Sequence, residues 1–301
     1  MLNRKNIPLH TTAVLQAVLV TFLWSTSWVL IKIGLKSSLP PLTFAGLRYT
    51  LAFISLLPFI LLKRENKSAL LNISAKNLRD LILLGIVFYT LTQGTQFLSL
   101  AFLPAAMVSM MLNLTPVFVA LAGIFLLSER PSSFQWLGVL VASAGIAVYF
   151  LPAQMPQTQL LGLAIALLCV MSNTGSALLG RYVNQRSNLS PLIITFVSMG
   201  IGAILLLIIG LVFQGIGKLS LMDWGIIIWL AIINTAVAFT LWNKSLKVLS
   251  AVESSILNSL MLPQIAILAV VFLGEGLSMK QISGLVLVSI GVLLVQLKKR
   301  K

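Results

Sequence analysis

The chain reads as an all-α integral membrane protein of ten transmembrane helices, arranged as two inverted five-helix repeats. Three observations predict this. Of 301 residues, 58% are apolar and only 9% charged, with a mean hydropathy of +1.03, whereas soluble domains carry about 25% charged residues. Ten apolar runs recur along the chain, most of them near the roughly 20 helical residues that span a hydrocarbon core of about 30 Å. The chain also matches itself at a shift of 146 residues.

Composition excludes several classes at once. A water-soluble globule and a disordered chain both conflict with so apolar a sequence. The single Cys169 excludes a disulfide framework and a cysteine zinc site. The single His10 leaves little for histidine catalysis or metal ligation, and no cofactor is expected.

The first run, 12–33, follows Arg4 and Lys5. It is longer than a signal-peptide core and no small-x-small cleavage site follows it, so it reads as a membrane helix behind a cytoplasmic tail, 1–11. Runs at 41–62, 80–101, 104–127 and 133–151 complete a first repeat over 12–151. Runs at 160–179, 191–213, 223–242, 251–273 and 281–297 form a second over 160–297, closed by a basic cytoplasmic end, 298–301. The polar connections are short and leave no room for a soluble domain.

The formal charge of +15 invites a nucleic-acid reading. The position of the charges favours orientation instead. With the N-terminus in the cytoplasm, sixteen of the 21 Lys and Arg fall on inner connections, and four, Lys32, Lys36, Lys218 and Lys280, on the outer side. Only Arg48 lies within a span. Such an asymmetry is the positive-inside pattern of a multi-pass protein, here of a bacterial inner membrane with both termini cytoplasmic. The expected partners are the lipid bilayer and a small-molecule substrate, with no nucleic acid, in a monomer or homodimer.

The repeat pairs Ser99 with Ser245, Ala105 with Ala251, Ser109 with Ser255 and Leu127 with Leu273. It then pairs Glu129 with Glu275, Gln135 with Gln281, Gly138 with Gly284, Ser143 with Ser289 and Gly145 with Gly291. Pro116 meets Pro263 after a one-residue slip. Five helices per repeat make the second enter from the opposite side. Inverted repeats of this kind build carriers, with a site near the midplane between the halves.

Candidate site residues follow from what hydrocarbon penalises. Arg48 lies about seven residues, or roughly 10 Å, from the outer end of its helix. An intramembrane charge faces a cavity or a gate, or snorkels to the headgroups. Trp24 and Trp28 are four apart, with Ser27 between them, and form an aromatic wall or pack in the bundle. Lys32, one turn on, reads as a membrane anchor or a substrate-steering charge.

Tyr89, Gln93 and Gln96, Asn113 and Thr115, Ser172, Asn173 and Thr174, Asn234 and Thr235, and Asn258, Ser259 and Gln264 are polar groups placed in spans. Each needs a partner there, so each either bonds a neighbouring helix or lines a shared cavity at the repeat interface. The substrate-binding set is therefore Trp24, Ser27, Trp28, Arg48, Tyr89, Gln93, Asn113, Asn173, Asn234 and Asn258.

Pro116 and Pro263 free backbone carbonyls and kink their helices. Glu129 and Glu275 precede Ser132-x-x-Gln135 and Ser278-x-x-Gln281, both capping-box patterns. The two acids read as structural or hinge groups at positive helix ends, with ion coupling as the alternative. Gly138 with Gly145 and Gly284 with Gly291 permit close helix packing. Glu253 suits a helix start.

These motifs resemble the EamA type of the drug/metabolite transporter superfamily. The first span reads Trp24-Ser25-Thr26-Ser27-Trp28 followed by Lys32, with Ser25 where the family has Gly. The second reads Phe44-x3-Arg48-Tyr49-x2-Ala52; the fourth carries Leu114-Thr115-Pro116 and closes on Leu127-Ser128-Glu129-Arg130-Pro131; the ninth closes on Leu273-Gly274-Glu275. The resemblance implies a ten-helix carrier of small metabolites, often an exporter. An amino acid or related compound is the expected cargo, with phosphorylated or nucleotide-type metabolites as the alternative. A polytopic membrane enzyme is the rival class, but the six acidic residues are dispersed rather than clustered.

Overall fold

The computed structural model describes residues 9–37, 39–127, 132–150, 157–246, 248–249 and 257–296. Their regular structure is entirely helical. In chain order the helices are α1 (Leu9–Lys36), α2 (Pro41–Leu61), α3 (Arg64–Leu71), α4 (Ala75–Phe102), α5 (Ala105–Leu112), α6 (Thr115–Leu127) and α7 (Ser133–Phe150). They continue as α8 (Gln157–Arg186), α9 (Pro191–Gln214), α10 (Leu221–Val237), α11 (Ala238–Leu246), α12 (Leu257–Leu273) and α13 (Met279–Gln296). Glu129, Glu253 and the 298–301 end lie outside the described residues, as do residues 1–8 of the N-terminal tail.

Five helical stretches are long and apolar enough to cross a membrane: Leu9–Lys36, Pro41–Leu61, Ala75–Phe102, Gln159–Asn184 and Pro191–Gln214. Five shorter apolar stretches accompany them, Ala105–Val119, Ser133–Tyr149, Leu221–Val237, Leu257–Leu273 and Met279–Leu294. Each of the ten falls on one of the apolar runs. The short α3, which carries Arg64, Glu65 and Lys67, is polar and lies between two spans rather than in one.

Helix starts follow local chemistry. Pro41 opens α2 and Pro191 opens α9, where the missing N–H is not needed. The Ser190 hydroxyl accepts the Ile193 N–H at 3.4 Å. Ser220 and Asp223 form a reciprocal box at the start of α10. Both expected boxes form. Gln135 Oε1 accepts the Ser132 N–H at 2.9 Å and Ser132 Oγ accepts the Gln135 N–H at 3.3 Å. Gln281 and Ser278 do the same at 2.9 and 3.2 Å.

Three stretches wind wider than an α-helix: Gly85–Thr92 within α4, Ile232–Val237 within α10 and Ala269–Leu273 within α12. Such π turns inside helices often mark functional sites. The chain turns at Asn113 and Leu114 between α5 and α6, and at Leu260 within α12. Each turn comes just before a proline, Pro116 or Pro263, whose ring cannot continue the hydrogen-bond ladder.

Burial is the reverse of a soluble protein's. Large apolar side chains such as Phe59, Val212, Phe213, Ile267 and Val271 face outward, while Thr21, Ser25, Arg48 and Asn234 are buried. Apolar surface that faces lipid is at equilibrium there, and polar groups turn inward to find partners.

Small residues let helices touch. A Cβ on Gly145 of α7 would lie 2.7 Å from Val288 N and 2.8 Å from Gly284 O of α13; one on Gly284 would lie 2.8 Å from Gly145 O. Gly138 and Gly291 meet across the same seam. The two glycine pairs read from the sequence thus face each other.

Candidate functional site: a central chamber with a buried arginine

A chamber of about 390 Å3 lies between α1, α2, α4, the α5–α6 turn, α8, α11 and α12. Its wall gathers Trp24, Ser27 and Trp28 from α1, Arg48 and Tyr49 from α2, and Thr92, Gln93 and Gln96 from α4. Ser109, Asn113, Thr115, Pro116, Asn173, Phe239, Asn258 and Ser259 complete the polar and aromatic lining. Of the ten residues read as substrate-binding, eight meet here.

The remaining two sit elsewhere. Tyr89 is buried one layer back, its ring 5.7 Å from that of Tyr49. It lines a second space of about 640 Å3, which shares Trp24, Phe88, Asn173 and Asn258 with the chamber. Asn234 does not line the chamber. Its Nδ2 donates to the Leu23 carbonyl and, at 3.1 Å, to Thr26 Oγ1, so it ties α10 to α1. Of the interhelical bond and the cavity wall, Asn234 takes the bond.

Arg48 is 5% exposed. Its Nε and Nη2 donate to Thr235 Oγ1 at 3.4 and 3.3 Å, and the Thr235 hydroxyl in turn donates a hydrogen bond to the Leu230 carbonyl at 2.9 Å. That hydroxyl stands in the π turn of α10, which places it opposite α2. The guanidinium carbon is 5.0 Å from the Tyr49 ring centroid and 6.0 Å from that of Phe97. Among the described residues no acidic side chain pairs with it. Held, among the described residues, by one hydroxyl and two aromatic faces, this buried charge retains donors for an anionic group. Arg48 is therefore not a snorkelling residue.

The rest of the wall is amide, hydroxyl and aromatic. The Tyr49 hydroxyl donates to Gln93 Oε1 at 2.5 Å, and Asn173 Nδ2 donates to Thr115 Oγ1 at 3.1 Å. Ser109 Oγ is buried and has no protein partner among the described residues. The Trp24 ring lies 5.3 Å from that of Phe239 and 5.2 Å from that of Trp242, both tilted, and the three form one aromatic flank.

The helix directions define two ends. Lys63, Arg64, Lys76, Arg79, Arg181, Arg186 and Lys244 belong to one, the basic end; Lys36, Lys218, Lys280 and the 103–105 turn belong to the other. The second space runs from Trp24 and Asn173 past Ser176 and Gly180 to Asn184, so the chamber continues toward the basic end. Toward the far end, Ile31, Phe44, Phe97, Leu100 and Leu103 are fully buried, with the Phe44 and Phe97 rings edge to face at 5.1 Å.

Lys32 and Glu275 lie on that far side. Lys32 Nζ donates to the carbonyls of Leu100 and Leu103 at 2.8 and 2.7 Å, so it caps the end of α4. Glu275 Oε1 accepts the Ala105 N–H at 2.9 Å and Oε2 the Ala106 N–H at 3.3 Å, the first donors of α5. The sequence placed this carboxylate at a positive helix end; the structure gives it the start of α5, far away in the chain. Pro116 lines the chamber, whereas Pro263 faces an apolar groove between α12 and α13.

Comparison with known proteins decides the family. The model of the EamA-like transporter family matches residues 11–151 and again 160–297. The chain belongs to the EamA-like transporter family. It is 29% identical over 98% of its length to a Bacillus subtilis (strain 168) protein named uncharacterized transporter YvbV, covering 95% of that protein. It is 25% identical to a protein of Salmonella typhimurium (strain LT2) named probable amino-acid metabolite efflux pump, over 92% of each chain. A solved structure described as a crystal structure of a protein shares the fold, with a TM-score of 0.63 at 18% identity over 94% of this chain and 96% of its own. The chain is thus an all-α integral membrane protein, and the family and relatives' names indicate transporters rather than enzymes.

Tyr49 stands in the second-span motif and Thr235 among the polar span groups, but that Tyr49 lines the chamber and that Thr235 holds Arg48 appear only in three dimensions, as does the place of Phe239. The stripe of Tyr89, Gln93 and Gln96 was visible at helical spacing and Thr92 sits within it. Nothing local in the sequence of α11 marks Phe239.

Proposed function

We propose that this protein is an alternating-access secondary carrier that exports a small carboxylate-bearing metabolite, an amino acid or related compound, from the bacterial cytoplasm across the inner membrane. The observation that carries this reading is Arg48, a buried cation with no acidic partner among the described residues, on the wall of an amide- and aromatic-lined chamber. A carboxylate fits its free donors. The unpartnered Ser109 hydroxyl offers a further contact, and the Trp24–Phe239–Trp242 flank suits an apolar side group. Among the described residues that line the chamber Arg48 is the one charged side chain, which favours a monoanionic group over the dianion of a phosphorylated metabolite.

The inverted-repeat architecture is supported by features that recur at the 146-residue shift. The π turn at Gly85–Thr92 corresponds to that at Ile232–Val237, and the break at Asn113 and Leu114 to that at Leu260. The two separate family matches support the same division. With basic loops inside, both termini are cytoplasmic and the chamber opens inward.

The test is uptake into proteoliposomes across amino acids, nucleosides and sugar phosphates, with and without a pH gradient. Saturable movement of an amino acid or its relatives is expected. Movement of neutral solutes alone would overturn the carboxylate reading.

A further inference from the structure

The far side of the chamber is closed by contacts whose chemistry separates into an apolar plug and a polar clamp, and the clamp is the unusual part. Glu275 leaves the end of α12 on Gly274, whose φ of +66° lets the chain turn sharply, and its N–H reaches back to the Ala269 carbonyl at 3.2 Å. The carboxylate then crosses to α5 and takes the first two N–H groups of that helix. Lys32 holds the other side of the same turn through the Leu100 and Leu103 carbonyls. An anion on a helix start and a cation on a helix end each complement the local dipole. Leu103 and Ala105, between the two charges, are fully buried.

We infer that Glu275 and Lys32 are the positioning residues that hold the far mouth shut in this state. Glu275 comes from the second matched stretch of the chain, and the turn it binds comes from the first. Its two hydrogen bonds therefore join the parts that must separate for the chamber to open on that side. Lys32 keeps the 103–105 turn in the shape that presents both N–H groups. The inference rests on the carrier reading, but it concerns the resting position of the mouth and needs no substrate.

The experiment is cysteine accessibility in a Cys169→Ser background. Leu112→Cys places one thiol on the chamber wall, and a membrane-impermeant maleimide is applied separately from each side of sealed vesicles. The otherwise unaltered protein is expected to label from the basic side. Glu275→Ala removes both acceptors, and hydrogen bonds to a charged group are strong enough that labelling from the far side should rise by roughly tenfold or more. Lys32→Ala should raise it less, and Glu275→Asp should lie between. If Glu275→Ala does not accumulate in the membrane, Glu275→Gln, which keeps one acceptor and loses the charge, carries the test with a smaller rise. Far-side labelling unchanged in membrane-inserted Glu275→Ala or Glu275→Gln overturns the inference. Because no substrate is added, that failure is separate from a failure to find the cargo.

Discussion

Replacing Gly145 by alanine probes the α7–α13 seam. The new Cβ would stand 2.7 Å from Val288 N and 2.8 Å from Gly284 O, both main-chain atoms that cannot rotate away. Ordinary contact begins at 3.4 Å, so the seam must open by roughly 0.6 Å over the length of the interface. A gap of that size forfeits a quarter to a half of the dispersion well for each facing atom pair, and overpacking of this kind costs about 1–3 kcal/mol. Thermal unfolding of the purified protein in detergent should show a transition a few degrees lower. Gly284→Ala should behave alike, since its Cβ would meet Gly145 O at 2.8 Å. The double variant should destabilise less than the sum of the two, because one widened seam accommodates both methyl groups. A Gly145→Ala transition within about 1 °C of the parent would refute the packing argument.

Other substitutions separate binding from scaffold. Asn234→Leu removes two donors from α10 to α1 and should lower thermal stability by about 1–3 kcal/mol while leaving KM for the cargo within twofold. Tyr49→Phe leaves Gln93 Oε1 without its donor and should raise KM about five- to tenfold at near-parental stability, read by transport kinetics and melting together. Trp24→Ala opens the aromatic flank it shares with Phe239 and Trp242. Competition assays should show it weakening substrates with large apolar side groups more than glycine-sized ones.

Much of the fold was legible because lipid imposes a simple rule. Each span must be apolar and helical, so run length and charge position locate the ten apolar helical stretches, though not the polar α3 between two of them, and Ser132-x-x-Gln135 and Ser278-x-x-Gln281 locate two starts. Small residues on one face, Gly138 with Gly145 and Gly284 with Gly291, announce a tight seam without naming its partner. The site was legible in part. A buried Arg or amide in a span must face protein, but whether it bonds a neighbour or lines a cavity depends on tertiary placement. Asn173 and Asn234 look alike in sequence, yet only the first reaches the chamber. Lys32 looks like an anchor because its helix ends four residues later; its carbonyl partners, Leu100 in the last turn of α4 and Leu103 just after it, are 68 and 71 residues away. Glu275 looks like the cap of the helix after it, and instead caps one 170 residues earlier in the chain.

The central claim is that Arg48 receives the carboxylate of the transported solute. Counterflow in proteoliposomes, with the parent protein and Arg48→Ala at matched insertion, tests it most directly. The parent should exchange an amino acid saturably and not its carboxamide, and Arg48→Ala should raise KM tenfold or more or abolish exchange, as loss of a charge-assisted hydrogen bond demands. Equal exchange by the two proteins, or equal movement of the carboxylate and the carboxamide, would contradict the account.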